Sequence, residues 1–317
     1  MTAPSAPTPP RGTLLLLDGS WALFRSFYAI RGMRAPDGRS TGALYGLLRQ
    51  LEQLRQRFAP TAIAIAFDET DTGFRVEIDP TYKGNRGETP PELAIQWPIA
   101  LQLLDALGLR VLRHGRWEAD DLIATAASRA HAAGWHVVVA SADKDLGQLV
   151  RDGVPAIVQY DPPKEAVLDE AAIVARWGVA PSAIPHVQAL VGDAVDNIKG
   201  VTGIGAKTAS KLIAAHGDLD GLYGALERVT PPRTQLALRD GEADARRCLQ
   251  LCTLHVDADL CDLAGNPVDL IDFLPRSPDA AAVAAFAVDL GFGRILSGFG
   301  TSAATAAGQA AARGSEK

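Results

Sequence analysis

Hydrophobic residues along the chain occur in two patterns, short continuous runs and longer segments with helical spacing. Continuous runs predict buried parallel strands, because a strand covered on both faces needs apolar side chains at every position. In residues 40–58 leucines recur every three or four positions, which predicts an amphipathic helix. Strands are predicted at residues 13–18, 62–68, 109–112, 135–141 and 156–160, with the last of these at a sheet edge.

Strands and helices alternate in the first part of the chain. This alternation predicts an α/β fold with a central, mostly parallel sheet and helices on both faces. Residues 69–91 are polar and carry no regular pattern, and the chain beyond about residue 180 is helical. The terminal residues 1–11 and 300–317 are rich in small and polar residues, so we expect both tails to be disordered.

Acidic residues follow several predicted strands where they end. Asp18, Asp68 and Asp143 each lie within about two residues of a strand end, and the carboxyl ends of parallel strands meet at one sheet edge. Four further acids belong to the same group, namely Glu118, Asp120, Asp121 and Asp145. Like charges this close repel each other, so their concentration predicts bound cations.

Carboxylates without an accompanying histidine or cysteine favour Mg²⁺ or Mn²⁺ over zinc. Their number indicates two ions about 3.5–4 Å apart, the arrangement used for phosphodiester cleavage. Successive residues of a helix diverge by about 100°, so Glu118, Asp120 and Asp121 cannot all bind one ion from a regular helix. We therefore expect Glu118 to precede the first turn and the two aspartates to face different ions or layers of ligands.

A glycine-rich segment lies between two predicted helices in the second part of the chain. Gly200, Gly203 and Gly205 predict a tight hairpin, where a phosphate can approach backbone N–H groups of the following helix. Two acids precede these glycines and two lysines follow them, namely Asp193, Asp196, Lys207 and Lys211. Such a site grips a duplex by its backbone and reads no bases.

In their order and spacing these motifs resemble the 5′-nuclease domain of bacterial DNA polymerase I, in the family that includes phage 5′-exonucleases and flap endonucleases. The matching segments are residues 17–20 (LDGS), 67–68 (FD), 74–75 (FR), 82–86 (YKGNR), 118–121 (EADD), 142–146 (ADKDL) and 192–209. The resemblance covers about residues 12–299. It implies a PIN-like catalytic domain over residues 12–180, with an arch at about residues 69–91. It also implies a helical DNA-binding domain of the helix-hairpin-helix (H3TH) type over residues 181–299, with no attached polymerase.

The resemblance implies two groups of metal ligands. The first ion would be held by Asp18, Asp68, Glu118 and Asp120. The second ion would be held, in part through water, by Asp143, Asp145, Asp193 and Asp196. Asp121 would lie between the ions or just behind their ligands. Two Mg²⁺ ions are expected, with Mn²⁺ able to substitute, and a K⁺ is implied at backbone carbonyls of the hairpin.

The resemblance also implies a set of DNA contacts. Arg25 would contact DNA near the scissile phosphate, and Tyr82 would stack on a base. The residues that would bind or polarise phosphates are Arg75, Lys83 and Arg86. The duplex would be gripped by Gly203, Gly205, Lys207 and Lys211. An aromatic residue among Arg and Lys also suits single-strand binding on composition alone, although an ordinary solvated loop has the same composition.

These features predict a Mg²⁺-dependent 5′-3′ exonuclease and flap endonuclease that uses a two-metal mechanism, leaves 5′-phosphate products and acts in DNA repair or replication. The expected substrate is DNA with a 5′ single-stranded end or flap; an RNA–DNA hybrid stays open, because a backbone grip need not exclude RNA. The alternatives are a non-catalytic scaffold at branched DNA and a ribonuclease acting on RNA primers. All nine acids are retained, which argues against the scaffold, and the glycine-rich hairpin argues against small toxin-like ribonucleases.

Charge and composition are compatible with this reading. The net charge is −6, but without the nine site carboxylates the rest of the chain carries +3. No run of about 18 apolar residues and no secretory signal is present, so we expect no membrane contact. We also expect a cytoplasmic, nucleoid-associated monomer. The three cysteines favour a reducing compartment and buried free thiols over a zinc site. Lys199 departs from the family, whose sequences commonly have proline there.

Overall fold

The central sheet contains β1 (Thr13–Asp18), β2 (Ala62–Ala66), β3 (Arg110–Leu112), β4 (His136–Ala140), β5 (Ile157–Asp161) and β6 (Ala166–Leu168). The structure, a computed structural model, describes residues 11–69 and 73–299. The strands lie in the order β3-β2-β1-β4-β5-β6. The first five pair in parallel, which confirms the predicted parallel sheet, and β6 runs antiparallel to β5.

The prediction that residues 156–160 form an edge strand is wrong, because β6 pairs with the outer side of β5. β6 has three residues, and none of them is buried. It therefore carries no apolar run that could have revealed it. At the other extreme, β1 lies inside the sheet and its leucines alternate between the two faces, with Leu15 and Leu17 on one side and Leu14 and Leu16 on the other.

The helices of the described residues are α1 (Gly19–Ala29), α2 (Gly42–Phe58), α3 (Phe74–Ile78), α4 (Pro91–Ala106), α5 (Ala119–Ala132), α6 (Glu170–Trp177), α7 (Ile184–Val191), α8 (Ala206–His216), α9 (Leu219–Gly224), α10 (Pro232–Cys252), α11 (Ala280–Leu290) and α12 (Gly293–Ser297). Helices α1, α2, α4 and α11 share the core on one face of the sheet, and α5 packs on the other. Helices thus cover both faces, as predicted. In this part of the chain no helix is both long and apolar enough to cross a membrane.

The segment expected to be irregular contains a helix. Within residues 73–91, α3 forms one short helix, and its Phe74 packs against the rings of Trp117 and His255. A helix of five residues is too short to show a hydrophobic period, so the sequence pattern did not reveal it. Residues 70–72 of the expected arch, and the expected disordered tails apart from Arg11, lie outside the described residues.

A second apolar core lies among α7, α8, α9 and α10. A two-stranded ribbon, β7 (Gly192–Asp193) and β8 (Ile198–Lys199), joins α7 to the glycine-rich turn before α8. After Cys252 the chain returns to the sheet, where Leu254, Leu260 and Phe273 pack with α5. Because α11 and α12 also pack on the sheet domain, the helical core is smaller than the domain predicted over residues 181–299.

Candidate active site

A cavity of about 240 Å³ opens where the parallel strands end. Seven of the nine predicted acids line it, namely Asp18, Asp68, Glu118, Asp120, Asp143, Asp145 and Asp196. Three positively charged side chains from one stretch of the chain line the same cavity, namely Arg75, Lys83 and Arg86. The topology explains this convergence, because β1 pairs with both β2 and β4, and the acids that follow these strands reach one edge of the sheet.

Asp18 links the central strand to the first helix. Its Oδ1 accepts a hydrogen bond from the backbone N–H of Trp21 at 2.9 Å and thereby caps α1. Its Oδ2 accepts from the hydroxyl of Ser141 at 2.9 Å. Burial, together with the charges of Asp68 and Asp143, raises the pKa of Asp18 to about 7. This carboxylate is therefore fixed in place and under electrostatic repulsion.

Asp143 and Asp145 form a second acidic group beyond β4. Asp143 Oδ1 accepts from the backbone N–H of Asp145 at 2.8 Å, and Asp145 Oδ1 accepts from the side-chain amide of Gln188 on α7 at 2.6 Å. Burial and the charge of Asp143 raise the pKa of Asp145 to about 7. Burial also raises the pKa of Asp143, to which the charge of Asp196 contributes.

The three acids at the start of α5 have different roles, as expected from helical geometry. Glu118 is the N-cap residue and precedes the first helical turn. Asp120 lines the cavity, and burial and the charges of Asp143, Asp18, Asp68 and Asp145 raise its pKa well above the ordinary value. No hydrogen-bond donor of residues 11–69 and 73–299 lies within reach of its carboxylate. Asp121 points away from the cavity and is completely buried.

Asp121 is held by the protein itself, behind the acids that line the cavity, so its contacts argue against direct metal binding and agree with the second of its two expected positions. Its two oxygens accept hydrogen bonds from the guanidinium of Arg75 at 2.7 and 2.9 Å. Oδ1 also accepts from the backbone N–H of His255 at 3.0 Å, and Oδ2 from that of Glu118 at 3.3 Å. A carboxylate with four donors around it and no exposed surface has no lone pair directed at the cavity.

Arg75 was predicted to bind phosphates, and its contacts argue against that role. The side chain is buried; besides Asp121 it donates to the Leu251 carbonyl at 2.8 Å and to Glu118 at 3.3 Å. The guanidinium thus holds the start of α5 against the end of α10. Sequence spacing could not show this, because the three partners are distant in the chain.

Besides the Arg75–Asp121 pair, lysine and arginine side chains pair with three acids of the site. Lys83 donates to Glu118 at 2.8 Å, and Arg86 pairs with Asp196 at the exposed side of the cavity. Lys144, which was not singled out from the sequence, pairs with Asp193 at 2.5 Å. Burial raises the pKa of Asp193, but the hydrogen bond and charge of Lys144, together with backbone hydrogen bonds from residues 195 and 196, outweigh burial and lower the pKa. Its position in the sequence between two predicted metal ligands, Asp143 and Asp145, could have indicated that Lys144 belongs to the site.

Tyr82 was predicted to stack on a base, but its ring is buried. It packs against Ile198, Cys248, Leu251 and Cys252, and its hydroxyl donates to Glu118 at 3.0 Å. The aromatic side chains that reach the cavity with part of their surface exposed are Trp21 and Phe24 of α1. Neither residue was assigned to the site from the sequence.

The donor set fits hard divalent cations, because it consists of carboxylate oxygens whose mutual repulsion a cation would relieve. In their present orientations, however, no three acidic, histidine or cysteine side chains among residues 11–69 and 73–299 converge closely enough to hold an ion. Glu118 and Asp196 are turned toward Lys83 and Arg86 instead. Metal binding would therefore require side-chain rotation, and the assignment of ligands to two ions stays a prediction.

The glycine-rich turn lies apart from the cavity and faces solvent. A Cβ atom added at Gly203 or Gly205 would meet no described atom within 4 Å, so the backbone at the start of α8 is open to a ligand. Lys207 and Lys211 are exposed on α8. Lys199 is exposed and pairs with Asp244 at 2.6 Å. Arg25 is exposed and lies over the Trp21 ring, with its guanidinium carbon 5.7 Å from the ring centroid.

Comparison with known families gives matches over most of the chain. Residues 13–178 match a family model described as 5′-3′ exonuclease, N-terminal resolvase-like domain. Residues 179–271 match a second model, described as 5′-3′ exonuclease, C-terminal SAM fold.

Curated relatives are DNA polymerases. DNA polymerase I of Mycobacterium tuberculosis is 39% identical over 269 residues, which is 82% of this chain and 29% of that protein. The thermostable DNA polymerase I of Thermus thermophilus is 34% identical over 292 residues, which is 92% of this chain and 34% of that protein. The chain therefore spans about a third of the length of the curated relatives it matches.

Solved structures confirm the predicted fold class. A T5 5′-exonuclease with bound zinc has a TM-score of 0.66 and 21% identity, over 76% of this chain and 89% of that one. Flap endonuclease-1 from Methanococcus jannaschii has a TM-score of 0.56 and 16% identity, over 91% of this chain and 90% of that one. At these identities the likeness concerns the fold, a sheet domain followed by a helical domain.

Proposed function

Because the chain belongs to the 5′-3′ exonuclease family, we propose that it hydrolyses DNA phosphodiesters at 5′ ends and 5′ flaps, using Mg²⁺ and leaving 5′-phosphates. The observation that carries this proposal is that seven carboxylates and three lysine or arginine side chains line one and the same cavity. Carboxylates suit divalent cations, and lysine and arginine suit phosphate oxygens. The cavity thus offers ligands for both the metal and the phosphate of a nuclease reaction.

Lys83 and Arg86 are the proposed phosphate-binding residues. Both side chains keep some exposure, and each is paired with an acid that lines the cavity. A scissile phosphate can replace these acids as the partner of the two cations, which would then stabilise charge on its non-bridging oxygens. Arg75 has no such freedom, since Asp121, Glu118 and the Leu251 carbonyl use its donors. Its proposed role is to hold the acids in place.

The acids that line the cavity are the proposed metal ligands, with Asp193 joining them if Lys144 moves away. Bound divalent ions would supply an acidified water as nucleophile and stabilise the leaving oxygen. The chain contributes the position of each carboxylate. Asp18 is fixed by the start of α1, and Asp145 by Gln188 of the helical core. Burial and the charges of four nearby acids raise the pKa of Asp120, so it is the proposed ligand with the most to gain from a cation.

DNA is the proposed substrate, gripped at the glycine-rich turn and cut at the cavity. The open backbone at Gly203 and Gly205 and the exposed Lys207 and Lys211 suit duplex phosphates. Among the structural neighbours, a T5 flap endonuclease was solved with DNA and metal ions, and the Rad2 catalytic core with a DNA substrate. These neighbours support DNA as the ligand of this fold.

A time course on four substrates tests this proposal: a 5′-flap duplex, a nicked duplex, a single strand and an RNA–DNA hybrid, each with Mg²⁺ or with EDTA. We expect cleavage of the 5′-flap and nicked duplexes with Mg²⁺, no cleavage with EDTA, and products that carry a 5′-phosphate. Cleavage confined to the hybrid would replace DNA by RNA primers as the substrate. Tight binding of the flap without cleavage under any condition would instead indicate a scaffold.

A further inference from the structure

Two segments from different parts of the chain are joined beside the cavity by reciprocal amide contacts. The side-chain amide of Asn85 donates to the carbonyl of Ala194 at 2.9 Å. In the opposite direction, the side-chain amide of Asn197 donates to the carbonyl of Thr81 at 2.8 Å. Between them the backbone N–H of Lys83 donates to the carbonyl of Asp196 at 2.9 Å. We call residues 79–86 and 193–198, held together in this way, the amide clasp.

The clasp lies between residues that the proposed reaction uses. One of its segments carries Lys83 and Arg86, and the other carries Asp193 and Asp196. Lys83 extends from the clasp to Glu118, and Arg86 reaches across it to Asp196. The relative position of phosphate-binding cations and acidic residues therefore depends on how these two segments are joined.

Backbone strain coincides with the clasp. Lys83 has a φ of 55° and Asn197 a φ of 57°, both in the left-handed region that non-glycine residues seldom adopt. Asparagine tolerates this conformation better than most residues, whereas lysine does not. Strained residues keep such a conformation only when their surroundings fix it. The contacts of the clasp provide that fixation at Lys83.

We propose that Asn85 and Asn197 are positioning residues, whose amides hold the two segments so that Lys83 points into the cavity at the scissile phosphate. This inference rests on the proposed nuclease function and assigns two residues to it. Both asparagines are exposed, so removing either amide leaves no buried polar group unpaired. The clasp therefore contributes more to the geometry of the site than to the stability of the fold.

The test uses the full chain with three substitutions. Asn85→Ala and Asn197→Gly each delete one amide, and glycine accepts the left-handed backbone at position 197 without strain. Asn266→Ala is the matched control, because that asparagine lies in an exposed turn and contacts Asp262. Flap cleavage by the wild type with Mg²⁺ is measured first. If the wild type does not cleave the flap, the proposed function is refuted. The role of the clasp is tested by comparing its variants with a wild type that does cleave.

We expect Asn85→Ala and Asn197→Gly each to lower kcat about tenfold with KM within about twofold, since misplacement of a catalytic group affects the reaction more than binding. Their Tm should equal that of the wild type, and Asn266→Ala should match the wild type in every respect. Unchanged kcat in both clasp variants would overturn the proposal. A fall in kcat that only parallels a fall in Tm would overturn it too, because it would reflect loss of folded protein.

A double-mutant cycle with Lys83→Ala separates positioning from a general effect. If the amides act through Lys83, Asn197→Gly should cost about tenfold in the wild type and less than about twofold in the Lys83→Ala background. The same comparison applies to Asn85→Ala. Independent, multiplicative losses in both cycles would show that the clasp does not act through Lys83 and would reject the proposed role.

Discussion

Asp120 and Asp121 are neighbours in sequence with opposite surroundings. Asp120 faces other acids, and its pKa is raised by burial and by their charges. Asp121 faces Arg75, which neutralises it away from the cavity. A rotation of about 100° per helical residue explains why the two diverge. Helical geometry predicted this divergence, but it does not by itself tell which of the two faces the cavity, because that depends on where the distant Arg75 and His255 pack.

The two neighbours should respond differently to the same substitution. Asp120→Asn should reduce flap cleavage by a factor on the order of 10³. Without divalent ions near neutral pH it should raise Tm, because the raised pKa makes the charged form of Asp120 unfavourable in the folded state. Asp121→Asn should lower the free energy of unfolding by about 3–5 kcal/mol, because it leaves the Arg75 charge buried without its partner.

Thermal unfolding and cleavage time courses of both variants provide the measurement, with the wild type as reference. The contrast in Tm is the decisive part. If Asp121→Asn were as stable as the wild type, or if Asp120→Asn were strongly destabilised, the assignment of one acid to the cavity and the other to the protein interior would be wrong.

Lys83 is predicted to contribute more to the rate of phosphodiester cleavage than to the binding of DNA. Lys83→Ala should lower kcat by about 10²-fold, because a cation directed at the scissile phosphate stabilises charge that increases in the transition state. KM should change much less, since other contacts retain the DNA. Lys164→Ala is the matched control, because Lys164 pairs with Asp161 outside the cavity. Steady-state kinetics on a 5′-flap substrate measures both; a rise in KM with unchanged kcat would contradict the role.

Within the ribbon and turn between α7 and α8, glycines serve two purposes. A Cβ atom at Gly200 would lie 2.3 Å from the backbone nitrogen of Gly192, so the close approach of the two chain segments requires glycine. Gly205 has a φ of −94° and open space around it. The sequence showed the glycines but could not separate those needed for packing from those open to a ligand.

Alanine substitutions separate these purposes. Gly200→Ala should cost about 1–3 kcal/mol of unfolding free energy, because the added methyl group has no room. Gly205→Ala should leave Tm unchanged and weaken binding of duplex DNA, because the methyl group stands where a phosphate would approach. Thermal melts and DNA-binding titrations at fixed salt measure the two effects. Unchanged affinity in Gly205→Ala would exclude this backbone from the duplex contact.

Elements that the sequence did not reveal are short. β6 and α3 have three and five residues, which is too few for a hydrophobic period. The buried strands β1, β2 and β4 were predicted closely because each contains a continuous run of at least four apolar residues. Element length and burial therefore explain most of the difference between the predicted and observed secondary structure.

At the scale of the whole molecule, the chain is joined across its two cores at the active site. Gln188 of the helical core holds Asp145, and Asn85 holds Ala194 from a position 109 residues away. The parallel sheet and the acids at its edge could be predicted, because topology follows from local periods. Contacts such as these could not, because residues that are far apart in sequence leave no periodic signal.

The acidic cavity is proposed to use divalent ions to hydrolyse DNA at a 5′ flap. The most direct test of this proposal is the single-turnover cleavage rate of a 5′-flap duplex as a function of Mg²⁺ concentration, for the wild type and for Asp120→Asn. We expect no cleavage by the wild type in EDTA. At low Mg²⁺ concentration its cleavage rate should rise more steeply than the first power of the Mg²⁺ concentration, because two ions are required. The Asp120→Asn variant should be nearly inactive. Cleavage in EDTA, or an Asp120→Asn variant with the wild-type rate and Mg²⁺ dependence, would contradict the account.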